Sequence, residues 1–187
     1  EAIFGKSDRD IFPEYMSEKF RSDDQTVIQS KLPLLDLVEL FPTRNRLPEW
    51  FVTHKYPLLR PNGEVEGICG IVQNHEPAKE DIDDPVIKMV RTIKQNYASS
   101  LSIPELSKQA GISQRQLERL FKKRFRVSPR EYIIQLRILI AADQLSQSRR
   151  SITQIALDCG FYDHSSFTRY FRRNMGCTPL AYRKERS

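Results

Sequence analysis

The sequence predicts two domains of different fold class, an N-terminal α+β half and a C-terminal half built entirely from helices. Three observations lead to this division. The net charge changes sign near the middle of the chain, the spacing of apolar residues becomes helical beyond residue 85, and the sequence of residues 117–132 returns in altered form at residues 167–182. The repeat indicates that the helical half contains two copies of one helix-turn-helix unit.

The charge of the chain is divided unevenly between the halves. Residues 1–84 hold 10 Lys+Arg against 17 Asp+Glu, a net charge of −7, whereas residues 85–187 hold 20 against 7, a net charge of +13. A strongly basic half predicts an anionic partner. A polar, acidic stretch bracketed by prolines marks the predicted boundary, with a first domain over 1–76, a linker over 77–84 and a second domain over 85–187.

Several classes of protein and site are not expected from this composition. Cys69, Cys159 and Cys177 have neither paired spacing nor a neighbouring His cluster, so each is interpreted as a small core residue rather than a metal ligand or a disulfide partner. No apolar run approaches the roughly 20 residues that span a bilayer, and no secretory signal is visible. We expect a soluble, cytoplasmic protein without a metal or a cofactor.

The acidic half is predicted to contain one helix and one pair of strands. Val27 and Ile28 indicate a short helix, and residues 50–59 and 64–73 have the Val, Ile and aromatic content of strands. The stretch RPNG joins the two strands, and its Asn-Gly pair is a strong turn signal. An antiparallel hairpin is therefore expected.

Serine residues mark the predicted helix starts in the basic half. Each stands three residues before Glu or Gln, the spacing of the capping box, in which two side chains satisfy the free amides of a helix start. The pairs are Ser102 with Glu105, Ser113 with Gln116 and Ser151 with Gln154. Gly111 and Gly160 lie where each unit needs a tight turn between its two helices, because glycine adopts left-handed backbone angles without strain.

The second helix of each unit has one apolar face and one polar face. Its polar face consists of Arg115, Glu118, Arg119 and Lys122 in the first unit, and of Ser165, Thr168, Arg169 and Arg172 in the second. Leucine and aromatic side chains at helical spacing form the apolar faces. A narrow polar row of this kind suits a helix in the major groove of DNA, where base edges offer a donor and acceptor pattern. Arg119 and Arg169 occupy equivalent places in the two rows, which favours DNA as the partner.

Some of these residues have a second interpretation. Glu118 either recognises cytosine or pairs with Arg115 or Lys122 along its own helix. Arg173, like its neighbours in the basic run, either contacts phosphate or only makes the surface soluble. His164 is solitary, so metal binding is not expected there.

The stretch of residues 128–148 joins the two units and is predicted to be one helix. Ser128 is an expected N-cap, and Pro129 fits the first helical position, where a missing amide costs nothing. The interior of the stretch is apolar nearly all round, as in a helix buried between two units. Some 18 residues span roughly 27 Å, so this spacer could set two helices into successive turns of the major groove.

Residues 84–186 resemble the DNA-binding domain of the AraC/XylS family of bacterial transcription regulators. The second unit carries the family signature in RILIAADQL…SITQIALDCGFYDHSSFTRYFRRNMGCTPLAYR. The resemblance implies seven helices, with two helix-turn-helix units and a linking helix. The residues that match the base-reading positions of the family are Arg115, Gln116 and Arg119 in the first unit and His164, Ser165, Thr168 and Arg169 in the second. Lys122 and Arg172 match the adjoining backbone-contact positions.

Residues 1 to about 76 resemble the later portion of a PAS sensor domain. The similarity lies in GKSDRDIFP, a following helix and the pattern W…K.PL…NG.V.GI.GI. The first PAS strands have no counterpart before Glu1, so this domain is expected to be truncated at its start, and NHE at residues 74–76 replaces the usual exit motif. The resemblance implies a sheet built partly from Trp50, Val52, Ile68 and Ile71 and a small apolar or aromatic ligand beside it, with no cofactor-binding residue identified. Each of the four residues is interpreted as ordinary core rather than as a ligand contact.

The sequence therefore predicts a transcription regulator that binds double-stranded DNA and is modulated by its N-terminal half. RNA polymerase, a second copy of the chain and a small ligand are candidate partners. An alternative makes the N-terminal half a dimerisation or partner-docking module without a ligand. An enzyme of the DNA-repair methyltransferase type is not expected, because three scattered cysteines do not form the metal-binding cluster it would need.

Overall fold

Contacts within the chain divide it into two units, one comprising Glu1–Glu39 and Phe51–Asn74 and the other Leu40–Trp50 and His75–Ser187. The computed structural model describes residues 4–12, 14–41, 47–74 and 84–186. The linker predicted over residues 77–84 lies outside the described residues except for Asp84, and so do the last two residues of the NHE stretch.

The N-terminal part of the chain forms a three-stranded sheet and two helices. In chain order the elements are α1 (Asp8–Ile11), α2 (Glu14–Ser30), β1 (Leu34–Phe41), β2 (Glu49–Leu59) and β3 (Val65–Asn74). The strand order is β1-β2-β3, and β2 pairs antiparallel with β3. At the connecting turn Gly63 has a φ of 78°, and its amide donates to the Arg60 carbonyl oxygen at 2.8 Å. The predicted hairpin is confirmed.

Two elements of this part differ from the sequence-based expectation. Helix α2 has 17 residues and begins well before Val27, because Met16 and Phe20 extend its buried stripe upstream. Strand β1 was not predicted: its sequence LLDLVELF lacks clear alternation, and its burial does not alternate either. It becomes a strand because it pairs with β2, the strand that follows it in the chain.

The interior of the N-terminal unit is partly ionic. Lys55 on β2 is buried, and its Nζ donates to the Phe20 carbonyl oxygen at 2.9 Å and to Asp24 Oδ1 at 2.7 Å. Thr53 is buried on the same face of β2. Ile71 pairs with His54, so it lies on the other face and is 43% exposed. Ile71 therefore lies in the predicted sheet, but its interpretation as an ordinary core residue is wrong for the described structure.

The second unit contains seven helices between residues 84 and 186, which confirms the all-helical prediction. They are α3 (Pro85–Asn96), α4 (Ile103–Gln109), α5 (Gln114–Phe125), α6 (Pro129–Gln147), α7 (Ile152–Asp158), α8 (His164–Met175) and α9 (Pro179–Arg186). Helices α4 and α5 form the first helix-turn-helix unit, and α7 and α8 form the second. Helix α6 joins them, buries ten of its 19 residues and packs against α5, α7, α8 and α9.

The predicted caps explain where most of these helices begin. Ser113 and Gln116 form a complete capping box at α5, and Ser128 and Glu131 form another at α6. Ser102 and Ser151 each accept a hydrogen bond from the backbone amide three residues further on. These caps satisfy amides that the first turn of a helix leaves unpaired.

The aromatic residues of the sequence repeat pack in the same way in both helix-turn-helix units. The rings of Phe121 and Tyr132 meet edge to face with centroids 5.1 Å apart, and those of Phe171 and Tyr182 do the same at 5.5 Å. All four side chains are buried, as expected for core residues. Each such pair holds the second helix of its unit against the helix that follows it.

Trp50 is a core residue of the second unit. Its ring stacks on Tyr132 with centroids 4.8 Å apart and lies 4.6 Å from Phe125. Its Nε1 donates a hydrogen bond to the Tyr132 hydroxyl oxygen at 2.7 Å. Trp50 lies in the predicted strand β2, and its interpretation as a core residue is confirmed, because it is 5% exposed in this aromatic cluster.

The three cysteines lie in different surroundings. Cys159 is buried in the second unit, and burial raises its pKa to about 12, so it is the core residue that was predicted. Cys69 is exposed on β3 and Cys177 is half-buried, so the core interpretation is wrong for Cys69.

Candidate nucleic-acid interface

Helix α5 presents a row of polar side chains on its exposed face. Leu117, Phe121 and Phe125 anchor the opposite face in the core, and Gly111, with a φ of 71°, makes the turn that precedes the helix. This anchoring fixes which residues point outward. The predicted site residues of α5 are all exposed, namely Arg115, Gln116, Glu118, Arg119 and Lys122.

The side chains of this row differ in how far the protein itself engages them. Within the part of the chain that the structure describes, Arg115 and Arg119 form no hydrogen bond or ion pair. Gln116 Oε1 accepts the Ser113 amide at 3.0 Å, because Gln116 completes the cap, which leaves its amino group free to donate. Glu118 accepts a hydrogen bond from Gln114 at 3.2 Å rather than pairing with a neighbouring cation on its helix.

Helix α8 repeats this arrangement in the second helix-turn-helix unit. Phe167, Phe171 and Met175 are buried, and Gly160, with a φ of 83°, makes the preceding turn. The predicted site residues His164, Ser165, Arg169, Arg172 and Arg173 are exposed, and Thr168 is half-buried. Both predicted rows therefore lie on outward faces, each supported by an aromatic core.

The N-cap of α8 is Asp163, a residue that the sequence analysis missed. Its side chain accepts the Ser166 amide at 2.7 Å and the Ser166 hydroxyl at 2.8 Å. These hydrogen bonds lower the pKa of Asp163. The fifty-residue offset from Ser113 to Asp163 was the signal that could have identified this cap.

The surface beside α8 is concave and carries positive charge. A depression of about 700 Å³ has no acidic residue in its lining, which consists of His164, Ser165, Thr168, Arg169, Arg172, Arg173, Gly176 and Thr178. The Arg169 guanidinium lies 5.3 Å from the centre of the Tyr170 ring. Thr168 Oγ1 and His164 Nδ1 are 3.5 Å apart. Such a surface suits an anionic partner.

Metal-binding clusters and membrane-spanning helices are both absent from the described residues. Among them no group of His, Cys, Asp or Glu side chains could hold a metal ion. None of the described helices is long and apolar enough to cross a membrane.

Comparison with known proteins agrees with both predicted resemblances. A family model described as "Helix-turn-helix domain" matches residues 106–185, and one described as "PAS fold" matches residues 1–75. An AraC-type transcriptional regulator from Chromobacterium violaceum superimposes with a TM-score of 0.52 at 34% identity over 55% of this chain and 92% of that one. The C-terminal half of this chain is an AraC-type helix-turn-helix domain. We refer to α5 and α8 as its recognition helices.

Two further relatives of the AraC-type domain bear on its role. One is the DNA-binding domain of AdpA, a global transcriptional factor, in complex with a target DNA. It superimposes with a TM-score of 0.53 at 28% identity over 55% of this chain and 92% of that chain. The probable transcriptional regulator LumQ of Photobacterium leiognathi is 33% identical over 90 residues, which is 48% of this chain and 36% of that protein. The chain spans about two fifths or less of the curated relatives that it matches first.

Proposed function

We propose that this chain is a sequence-specific transcription regulator that reads two successive major-groove segments of double-stranded DNA. One observation carries the proposal: two recognition helices, fifty residues apart, present Arg119 and Arg169 at equivalent exposed positions. They flank α6, which at 19 residues is roughly 28 Å long. A rigid spacer of that length suits two helices that enter neighbouring groove turns, whose centres lie about 34 Å apart.

The proposed division of labour follows the side chains. Base edges are read by Arg115, Gln116, Glu118, Arg119, His164, Ser165, Thr168 and Arg169, whereas phosphates are contacted by Lys122, Arg172 and Arg173. Arg and Gln side chains donate to purine edges, and exposed cations that flank them neutralise the backbone. The regulator would act in the cytoplasm, without enzymatic activity, and RNA polymerase is a further proposed partner.

We propose that the PAS-like N-terminal unit modulates DNA binding. The match of residues 1–75 to a PAS fold supports this. The sequence favours an apolar or aromatic ligand as the signal. The buried Lys55 and Thr53 add hydrogen-bonding groups to the interior of that unit.

A specific observation favours the alternative, a dimerisation module without a ligand. Tyr56, Leu58 and Ile71 share one face of the β2–β3 hairpin and are 38%, 50% and 43% exposed. Adjacent exposed apolar side chains of this kind are typical of protein interfaces.

Binding selection with the full chain tests the DNA-reading proposal. A randomised duplex library should yield two short conserved segments about 10 base pairs apart, and binding to that site should weaken steeply with salt, because each phosphate contact displaces counterions. Failure to bind any duplex at low salt, or enrichment of one short contiguous motif, would contradict the proposal.

A further inference from the structure

Arg137, in the middle of α6, donates three hydrogen bonds to backbone carbonyl oxygens from two different parts of the second unit. Its Nε bonds to Tyr97 and its Nη2 to Ser99, both just beyond α3, while its Nη1 bonds to Gly160, just beyond α7. All three distances are 2.7 Å. One guanidinium therefore ties the first helix-turn-helix unit, through α3, to the turn that leads into the second recognition helix.

The chemistry of the guanidinium suits this position. Helices α3 and α7 end at Asn96 and Asp158. Tyr97 is the C-cap of α3, and Ser99 and Gly160 lie just beyond the helix ends, where backbone carbonyls have no partner within a helix. The guanidinium is planar, and its donors have fixed directions. Among the described residues no carboxylate forms an ion pair with Arg137, and burial lowers its pKa. Its role in the structure is thus to hold these two helix ends together.

Gly160 brings the turn of the second helix-turn-helix unit close to the segment between α3 and α4. A Cβ atom built on Gly160 would lie 2.8 Å from the carbonyl oxygens of Tyr97 and Ala98, and 2.9 Å from Arg137 Cζ. The backbone of the second turn therefore lies directly against the segment that follows α3. A side chain at position 160 would therefore have to move the second helix-turn-helix unit away from the segment that follows α3.

We propose that Arg137 is the positioning residue that fixes the second recognition helix relative to the first. Helix α3 packs against α4 and α5, so the carbonyls of Tyr97 and Ser99 move with the first recognition helix. The Gly160 carbonyl moves with α7 and the start of α8. By bonding to both sets, Arg137 sets the spacing between the two rows of base-reading side chains. This inference rests on the proposed reading of two DNA segments.

The first test measures spacing preference with Arg137→Gln and Arg137→Lys in the full chain. The two selected DNA segments are placed one or two base pairs closer together or further apart. We expect the parent protein to discriminate against wrong spacing by on the order of tenfold, and both variants to lose most of that discrimination while base preference within each segment persists. Arg149→Gln, which removes an equal charge from an exposed side chain, is the matched control and should behave as the parent.

The second test needs no DNA, so it separates failure of this inference from failure of the proposed function. Spin labels at Lys108→Cys on α4 and Thr153→Cys on α7, with Cys69 and Cys177 replaced by Ser, report the distance between the two units. The distribution should broaden or shift in Arg137→Gln and keep its width in Arg149→Gln.

Should Arg137→Gln fail to fold, Arg137→Lys, which keeps the charge but has a single nitrogen, carries both measurements. An unchanged distance distribution, or unchanged spacing discrimination in a folded variant that binds DNA, would overturn the assignment.

Discussion

Arg119 and Arg169 occupy equivalent positions in the sequence repeat, yet their surroundings differ. Arg169 lies 5.3 Å from the centre of the Tyr170 ring, whereas Leu120 follows Arg119. A guanidinium held near an aromatic ring loses less conformational freedom when it binds a base. The second helix-turn-helix unit therefore holds Arg169 in fewer conformations than the first holds Arg119.

Replacing these arginines tests the base-reading assignment. Arg119→Ala and Arg169→Ala should each weaken binding to the selected site by about 1–3 kcal/mol, because a bidentate contact to a guanine edge is lost. Each should relax sequence preference at its own base pairs, about one helical turn apart. Binding assays on a panel of single-base variants of the site provide the measurement.

Arg173→Ala serves as the comparison, because Arg173 is assigned to phosphate. It should lower affinity evenly across the panel and reduce the salt dependence. If both arginine variants alter the same base pair, or neither alters sequence preference, the assignment of two grooves to two helices is wrong.

At the scale of the element, the ends of the two recognition helices solve one backbone problem with different residues. The C-cap of α8 is Gly176, with a φ of 78°, and the C-cap of α5 is Arg126, with a φ of 59°. Both are left-handed, a conformation that residues with a Cβ adopt at a cost of roughly 1–2 kcal/mol. The first helix-turn-helix unit therefore has backbone strain at Arg126, whereas the second has none at Gly176.

Exchange of these caps should shift stability in opposite directions. Gly176→Ala should reduce the free energy of unfolding by about 1–2 kcal/mol, whereas Arg126→Gly should raise it by roughly 0.5–1 kcal/mol, since glycine's greater freedom in the unfolded chain offsets part of the relief. Thermal unfolding followed by circular dichroism measures both changes. Arg126→Ala, which removes the charge but keeps the Cβ, should not stabilise. A gain in that variant equal to the gain in Arg126→Gly would show that charge, rather than strain, is responsible.

The elements were predictable where local signals specify them. Ser113 and Ser128 mark helix starts through side-chain bonds to amides three residues away, and Gly111 marks a turn through its own backbone angles. Strand β1 was missed because no local pattern defines it. Helix α2 begins upstream of its predicted position because its buried stripe runs from Val27 back through Phe20 and Met16, which the prediction did not include.

At the scale of the whole molecule, the interior and the outer face of the N-terminal unit support different proposals for its role. Its interior contains Lys55 bonded to Asp24, while the outer face of the hairpin exposes Tyr56, Leu58 and Ile71. A ligand would bind to the interior, whereas a second copy of the chain would cover the outer face. The two proposals for this unit therefore have separate tests on the same protein.

A metabolite screen on the full chain tests the sensing proposal. A ligand that binds only the folded state must raise the melting temperature as its concentration rises. We expect an apolar or aromatic compound to produce this shift. Under the dimerisation alternative no compound does so, and Leu58→Lys with Ile71→Lys converts a dimer to a monomer in sedimentation experiments.

Lys88→Ala on α3 is an exposed control for the dimerisation measurement and should leave the oligomeric state unchanged. A protein that is monomeric before substitution, and that responds to no compound, would contradict both proposals for the N-terminal unit.

The sequence by itself determined the first recognition helix through capping and apolar periodicity, which neighbouring residues specify. It determined the second through its periodicity and its repeat of the first fifty residues later. Tertiary structure alone decided the roles of Trp50 and Arg137. Trp50 has the sequence surroundings of a sheet residue, but its indole is buried against Tyr132, 82 positions away. Arg137 stands in an apolar helix with no visible partner, since its acceptors are backbone carbonyls 38, 40 and 23 positions distant. Backbone acceptors have the same chemistry at every residue, so no sequence pattern can mark them; only the folded chain brings them together.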